Sequence, residues 1–222
     1  EAEYKDRRIP GKEALDKVGV RPVQLDFKEG VALNNGTQMM TAIAALAVFD
    51  AENLLKNAEI AGALSLEALN GISDAFDERI HKVRPHKGQI TCAKNVRTLT
   101  KSSCLIHSAE EAVKKELHPQ DPYCLRCMPQ VLGAARDALS YVKQVVKVEI
   151  NSATDNPLVF TEDNVCLSGG NFHGQPISVA MDFLATALTV IGNISERRTA
   201  RLIDKNLNGG LPQFLVHGDV EE

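Results

Sequence analysis

A short polar stretch, residues 120–126 (QDPYCLR), places an amide, a carboxylate, a phenol and a guanidinium within seven residues. Tyr123 and Arg126 are three residues apart, so one helical turn would point both side chains the same way. Arginine offers a planar fork that grips a carboxylate with two hydrogen bonds, and a tyrosine can donate or relay a proton. The stretch predicts a site for a small carboxylate-bearing substrate. The alternative is structural, with Asp121 capping a helix and Arg126 in a surface salt bridge.

The cysteines and histidines give weaker signals. Cys124 and Cys127 have the C-x-x-C spacing of redox and zinc sites, but neither a strand-to-helix setting nor a second ligand pair accompanies them. We therefore interpret them as structural thiols, and the odd total of five cysteines favours reduced thiols over a disulfide framework. The six histidines never fall into a zinc-binding spacing such as H-E-x-x-H, so we expect no metal site.

Two loops are rich in amides and glycines. Residues 34–38 (NNGTQ) directly precede an alanine-rich stretch, where amides usually cap a helix but can also hold a ligand's carboxylate or amine. Residues 168–174 (SGGNFHG) match neither the G-x-G-x-x-G nor the G-x-x-x-x-G-K-[ST] pattern, which argues against phosphate binding. Their glycines would instead let the backbone pass close to another chain or a ligand.

Composition limits the classes of protein that are compatible with the chain. The 222 residues are 44% hydrophobic and 24% charged with a net charge of −4, which favours one globular domain and argues against a nucleic-acid partner. The longest apolar runs, such as residues 42–49, are far shorter than the ~20 residues that span a bilayer, so we expect no transmembrane segment. The first residues lack the basic and apolar regions of a secretory signal, and we expect a cytoplasmic protein.

Apolar periodicity predicts a mostly α fold, a bundle of long helices with one small β-hairpin. Residues 1–30 are expected to form a lead-in segment with one short helix near residues 12–18, and residues 71–88 a polar connector. The predicted helices cover residues 39–69 (one helix, or two joined near Gly62), 102–117, 129–150 and 176–202, and the predicted hairpin pairs residues 158–160 with 165–167. Expected core positions include Met40, Ile43 and Leu54 in the first long helix, Leu132, Leu139 and Val146 in the second, and Val179, Phe183 and Val190 in the last.

Six stretches taken together resemble the aromatic amino acid ammonia-lyases, in particular their histidine-specific branch. These stretches are residues 28–38, 120–133, 151–160, 168–176, 195–198 and 210–216. They follow the family's order and cover most of the chain. The resemblance implies a largely α-helical fold and a homotetramer whose active sites each draw residues from three subunits. It also implies elimination of ammonia from an L-amino acid, giving urocanate when the substrate is histidine.

The family's electrophile is a 4-methylidene-imidazol-5-one ring (MIO), which forms from an Ala-Ser-Gly tripeptide of the chain itself. No Ala-Ser-Gly occurs in these 222 residues. The resemblance therefore implies that residues 1–222 form a single helical domain, the central portion of a longer lyase whose MIO-bearing and C-terminal parts lie outside it. We expect this portion alone to be inactive.

The resemblance also assigns roles to individual residues. It implies that Asn35 and Tyr123 are catalytic, and that Arg126, Gln120 and Phe172 bind the substrate, with Arg126 on the α-carboxylate. Two departures, a cysteine at position 124 where the family usually has serine and a methionine at position 128 where glutamine is common, weaken the assignment of the branch. A phenylalanine or tyrosine ammonia-lyase or a tyrosine aminomutase is the alternative within the family. A non-catalytic helical assembly module is the alternative of another class.

Overall fold

Long helices dominate the computed structural model, which describes residues 1–216. Within those residues the chain forms nine α-helices and two antiparallel hairpins. The helices are α1 (Gly11–Lys17), α2 (Glu29–Asn34), α3 (Gln38–Ala68), α4 (Glu78–Lys82), α5 (Lys87–Thr100), α6 (Ala109–Lys114), α7 (Tyr123–Arg126), α8 (Met128–Glu149) and α9 (Gln175–Ile203). The strands are β1 (Ala2–Tyr4), β2 (Arg7–Ile9), β3 (Leu158–Phe160) and β4 (Val165–Leu167), and 3₁₀ turns lie at Ser73–Phe76 and Gln213–Leu215. The predicted mostly α fold is confirmed.

The residues divide into two compact units. The first unit comprises Glu1–Gly36 and Ala153–Phe172. It contains the two hairpins and also the helices α1 and α2. The second unit comprises Thr37–Ser152 and the chain from His173 onward, and it contains the long helices. Each candidate site residue is therefore positioned within one unit or the other.

The second unit has a core built by α3, α5, α8 and α9. On α8 the predicted stripe is buried through Leu132, Leu139 and Val146, because these positions recur on one helical face. Glycines let α5 and α8 approach closely: a Cβ at Gly133 would lie 2.4 Å from the backbone nitrogen of Gln89. Direct contact of the two backbones fixes how these helices cross.

Three long helices and one hairpin agree with the sequence prediction. The predicted helix at residues 39–69 is one continuous helix, α3, and Gly62 lies inside it where a Cβ would lie 2.4 Å from Met128 Sδ. The helices predicted at residues 129–150 and 176–202 are α8 and α9. β3 and β4 pair Leu158 with Leu167, which confirms the predicted hairpin.

The prediction for residues 71–117 is wrong. The expected connector contains α4 and the start of α5, which runs from Lys87 to Thr100, and the helix expected at residues 102–117 is reduced to α6. Ser108 begins α6 with a capping box: its hydroxyl accepts a hydrogen bond from the Glu111 backbone N–H, and the Glu111 carboxylate accepts one from the backbone N–H of Ser108. That local signal defines a new helix start that apolar periodicity did not reveal.

The lead-in segment also contains more structure than expected. The short predicted helix is α1, but a second hairpin, β1 paired with β2, precedes it. Its turn is formed by Lys5 and Asp6, whose φ angles are 50° and 61°. The sequence has no glycine at that turn, so the usual hairpin signal was missing.

Two predicted core stripes are confirmed only in part. The same spacing places Ala58 and Leu69 in the α3 stripe and Ala187 and Ile194 in the α9 stripe, and these four residues are buried. On α9, Val179, Phe183 and Val190 are exposed, whereas the core takes Ile177, Ala180, Leu184 and Ile191. On α3, Ile43 and Leu54 are exposed, whereas Ala44, Val48 and Leu55 are buried. Both helices carry apolar residues on two faces, so periodicity alone could not identify the face that packs inside this chain.

Helix α9 is long and apolar enough to cross a membrane. No such segment was expected from the lengths of the uninterrupted apolar runs in the sequence. Only 33% of the most apolar part of α9 is buried within the described residues. A helix that packs in a protein core satisfies the same criterion, and α9 supplies four of the core's buried aliphatic side chains, at Ile177, Leu184, Ile191 and Ile194. The expectation that no segment crosses a membrane stays a prediction.

Candidate active site

Three of the residues singled out by the sequence lie together at α7. Arg126 Nη1 donates a hydrogen bond to Gln120 Oε1 at 2.6 Å, and the guanidinium lies 4.8 Å from the centroid of the Tyr123 ring. The spacing of three residues on one helical turn produces this stacking, as expected. The result is a cation held between an amide and an aromatic face.

Part of the Arg126 fork is unused. Its Nε is buried and has no hydrogen-bond partner among the described residues, and the same is true of Gln130 Oε1 on the neighbouring turn. An unpaired buried N–H of a guanidinium is costly, so an acceptor at this position would be favourable. Tyr123 is 72% exposed, which leaves its phenol accessible. The cluster can bind a carboxylate and present a proton donor beside it.

An open, mainly apolar cleft of about 520 Å³ begins at Tyr123. Cys124, Cys127, Val131 and Ile194 form part of its wall, and Arg197 and Arg201 of α9 add two cations. Sequence spacing did not predict that these two arginines lie at the site. They are about 70 residues away along the chain, and no short motif links them to Tyr123. Apolar walls with a few charged groups suit a small amphipathic ligand.

The thiols and histidines beside the site show no metal-binding arrangement. Burial raises the pKa of the Cys124 thiol, which favours the protonated, unreactive form. Within residues 1–216, no group of three His, Cys, Asp or Glu side chains is placed to hold a metal ion. His217, one of the six histidines considered in the sequence analysis, lies outside the described residues.

Asp121 does not cap a helix, which corrects the structural alternative for this stretch. Pro122 is the N-cap of α7 and no side chain caps it. The Asp121 carboxylate is instead 2% exposed and accepts a hydrogen bond from the backbone N–H of Ile72 at 2.7 Å. Among the described residues, Arg126 has no salt-bridge partner either; its guanidinium contacts Gln120 and Tyr123.

Asn35 and Phe172 belong to the first unit, whereas Gln120, Tyr123 and Arg126 belong to the second. Asn35 follows α2 and its backbone N–H bonds to the carbonyl of Val31 at 2.7 Å, while Phe172 is 39% exposed at the end of a glycine-rich loop. The amides of residues 34–38 do not cap α3, whose N-cap is Thr37 without a side-chain bond.

Two neighbouring residues anchor the loops that carry Asn35 and Phe172. Lys28, just before α2, bonds to Asp155 Oδ2 at 2.6 Å and to the carbonyl of Pro157. The hydrogen bond from Lys28 lowers the pKa of the Asp155 carboxyl. Asn156 Oδ1 accepts hydrogen bonds from the Gly169 N–H at 2.7 Å and the Ser168 hydroxyl at 3.2 Å. Residues 155–156 thus anchor the segment before α2, which leads to Asn35, and the glycine-rich loop, which leads to Phe172.

The long helices form the largely α-helical fold that the resemblance to the aromatic amino acid ammonia-lyases implies. The model of the aromatic amino acid lyase family matches residues 1–221, and the chain belongs to that family. This finding confirms the resemblance inferred from the six sequence stretches.

Specific relatives agree with this assignment. Over 97% of this chain, it is 54% identical to histidine ammonia-lyase of Alkaliphilus oremlandii and 56% identical to histidine ammonia-lyase 2 of Fusobacterium nucleatum. Its fold matches the crystal structure of tyrosine aminomutase from Streptomyces globisporus with a TM-score of 0.88 and 40% identity, over 97% of this chain and 44% of that one. The chain spans 41% and 42% of the lengths of the two ammonia-lyases.

Proposed function

We propose that the chain is the central portion of an ammonia-lyase that removes ammonia from L-histidine and gives urocanate. The relatives that carry this name support the substrate. The observation that carries the proposal is the Arg126 guanidinium, held by Gln120 and stacked on Tyr123 with its Nε unpaired. An amino-acid substrate supplies the carboxylate that such a fork binds.

Each predicted site residue then has a role. Arg126 binds the α-carboxylate, and Gln120 keeps the guanidinium in the orientation that makes this possible. The exposed phenol of Tyr123 handles a proton or stabilises charge as the amino group leaves. Asn35 would hold the substrate and Phe172 would pack against it, the roles that the family resemblance implies for them.

The MIO electrophile would belong beside Tyr123. The cleft there has apolar walls, the accessible phenol of Tyr123 and the cations of Arg197 and Arg201, a set of groups that fits a polar ring and an amino acid bound next to it. When present, MIO supplies the electrophile that activates the substrate for loss of its amino group. Because residues 1–222 contain no Ala-Ser-Gly, another part of the complete protein must supply it, and residues 1–222 alone would be inactive.

The partners follow from the same proposal. The complete enzyme would be a cytoplasmic homotetramer that binds a small amino acid and neither nucleic acid nor membrane. The net charge of −4 is unsuited to binding a phosphate backbone.

The test is ammonia release by the protein expressed from its complete reading frame. L-histidine, L-phenylalanine and L-tyrosine are offered separately, and each product is identified by its ultraviolet spectrum and by mass. Urocanate from histidine, with no reaction of the other two, is the expected result. A protein that is folded, carries Ala-Ser-Gly and leaves histidine unchanged would contradict the proposal.

A second candidate is a phenylalanine or tyrosine ammonia-lyase or a tyrosine aminomutase. The chain is 40% identical to the Streptomyces globisporus tyrosine aminomutase and matches its fold with a TM-score of 0.88, and the fold that these enzymes share does not by itself select the substrate. Conversion of tyrosine to the isomeric β-amino acid, or ammonia release from phenylalanine or tyrosine, would identify this branch. Absence of any reaction would favour the non-catalytic assembly module.

A further inference from the structure

The Asp121 carboxylate links the candidate active-site turn to a distant part of the chain. Oδ2 accepts the backbone N–H of Ile72 at 2.7 Å, and Oδ1 contacts His118 Nε2 at 2.7 Å. The residue is 2% exposed, so water does not compete for either oxygen. Hydrogen bonds to a buried carboxylate are among the stronger ones in proteins.

The segment that receives this contact is itself held firmly. Ile72 pairs with His107 in an isolated parallel bridge. The Ser73 N–H bonds to the His107 carbonyl at 2.8 Å, and the His107 N–H bonds to the Gly71 carbonyl at 3.0 Å. The segment directly follows the C-terminal end of α3, the longest helix of the described residues. Asp121 is thus attached to a support that cannot shift easily.

The attachment point lies directly beside the residues that would perform the reaction. Gln120 precedes Asp121, and Tyr123 and Arg126 follow it by two and five residues on α7. Helix α7 is only four residues long, and no side chain caps its N-terminus. Its own hydrogen bonds therefore give it little rigidity, and its orientation depends on contacts with the rest of the chain, which are the burial of Leu125 in the core and the anchoring of Asp121 just before the helix.

We propose that Asp121 is a positioning residue for the Gln120–Tyr123–Arg126 cluster, an inference that rests on the proposed function. Its oxygens contact Ile72 and His118 rather than the cleft, so it acts through the turn and does not touch the substrate. Displacing a substrate-holding group by about 1 Å can lower a rate by about 100-fold. Loss of the Asp121 contacts would displace Arg126 and Tyr123 together.

The kinetic experiment compares Asp121→Asn with Asp137→Asn in the complete enzyme. Asp137 is a matched control: its Oδ1 accepts the Gly88 N–H at 2.8 Å, also across 49 residues, but it ties α8 to α5 and contributes nothing to the cleft. We expect Asp121→Asn to lower kcat/KM about 30- to 100-fold, with most of the loss in KM because Arg126 is misplaced. Asp137→Asn should keep kcat/KM within about threefold at a similar loss of thermal stability.

A second readout does not depend on activity. Cys124 lies in the same turn and is half-buried, so its labelling rate by iodoacetamide, measured by peptide mass spectrometry, reports how firmly the turn is held. Exposed Cys104 is the internal reference, since it lies outside the turn. We expect Asp121→Asn to speed the labelling of Cys124 at least about fivefold relative to Cys104, and Asp137→Asn to leave the ratio unchanged.

The two readouts separate the positioning role from the proposed function. Faster Cys124 labelling in an enzyme that releases no ammonia from any of the three amino acids would support the attachment of the turn and contradict the proposed function. Wild-type labelling together with wild-type KM in Asp121→Asn would overturn the positioning role. Equal losses of kcat/KM in Asp121→Asn and Asp137→Asn would also overturn it, because the effect would then be one of general stability. If Asp121→Asn does not fold, His118→Ala, which removes only the contact to Oδ1, takes its place with the same expected direction.

Discussion

Arg126 is the side chain on which substrate binding depends in the proposed reaction. In the complete enzyme, we expect Arg126→Ala to lower kcat/KM at least about 100-fold, because it removes a charge-assisted carboxylate contact worth about 3 kcal/mol. Arg126→Lys should recover only part of that loss, since an ammonium lacks the planar fork and cannot stack on Tyr123 in the same way. Steady-state kinetics with L-histidine provide the measurement.

The control for Arg126 is Arg79→Ala. This substitution also removes an arginine, from a position whose side chain is 89% exposed and forms its salt bridge with the nearby Asp77. Its kcat/KM should match the wild type. An Arg126→Ala enzyme with unchanged kcat/KM would show that the carboxylate binds elsewhere.

The sequence reveals individual site residues when they are close neighbours. The spacing of Tyr123 and Arg126 predicted that their side chains point the same way, because three residues make about one helical turn, and in the structure the guanidinium lies over the ring. The partner of Asp121 is 49 residues away and is a backbone N–H, which any residue type could supply. Arg198, near the C-terminal end of α9, is 2% exposed and burial lowers its pKa, although no sequence pattern marks it as a buried cation. Long-range packing decides such cases.

Among the elements, the crossing of α5 and α8 depends on two glycines. A Cβ at Gly133 would lie 2.4 Å from the backbone nitrogen of Gln89, and one at Gly88 would lie 2.0 Å from the carbonyl oxygen of Gly133. Because backbone cannot move aside as a flexible side chain does, we expect Gly133→Ala to destabilise the protein by about 1–3 kcal/mol or more. Thermal unfolding of the complete protein measures this.

Gly192→Ala on α9 is the matched substitution, since nothing lies within 4 Å of a Cβ there. It should leave stability unchanged or raise it by up to about 1 kcal/mol through helix propensity. Equal melting temperatures for Gly133→Ala and the wild type would contradict the close helix crossing.

His81, at the end of α4, makes stability depend on pH. It is 1% exposed, its Nε2 bonds to the Ala75 carbonyl at 3.2 Å, and its Nδ1 accepts from Gln89 Nε2 at 3.0 Å, an arrangement of the neutral ring. Burial lowers its pKa, so the unfolded chain takes up the proton first. The stabilisation is complete above about pH 6.5, the usual histidine value, and decreases as the pH falls below it.

We expect His81→Asn to be less stable than the wild type at pH 7 and to show a flatter decline of melting temperature between about pH 7 and 5. His86→Asn is the control, because His86 is exposed in the same region and should keep the wild-type pH profile. Parallel profiles for His81→Asn and the wild type would mean that His81 does not stay neutral in the folded state.

Periodicity predicted those elements that have a single apolar face. α8 has one, and both its bounds and its buried residues were predicted well. α5 was missed because Gly88 and its polar residues resemble a connector, although Gly88 is required by the contact with Gly133. α3 and α9 were located correctly but with buried faces that were only partly right, since each helix has two apolar sides and the sequence does not show which one packs inside this chain.

At the scale of the whole molecule, one side of α3 exposes a run of large apolar side chains. This open face of α3 consists of Met39, Ile43, Leu46, Phe49, Ile60 and Leu64, each between 45% and 75% exposed. Single exposed apolar residues are ordinary, but a run along one helix usually marks an interface. In the proposed homotetramer, other subunits or other parts of the complete protein would cover it, which explains why a second apolar face exists.

Leu46→Asp tests this by placing a charge in the middle of the open face of α3. A carboxylate there would have to be desolvated in the interface without a partner, so we expect the complete protein to lose its tetrameric mass, measured by light scattering after size exclusion. Activity should be lost with it, because the family resemblance implies active sites built from several subunits. Val83→Asp, in which an isolated apolar side chain that is 85% exposed receives the same charge, should remain tetrameric and active. A tetrameric Leu46→Asp protein would place the interface on another face, with the exposed side of α9 as the next surface to test.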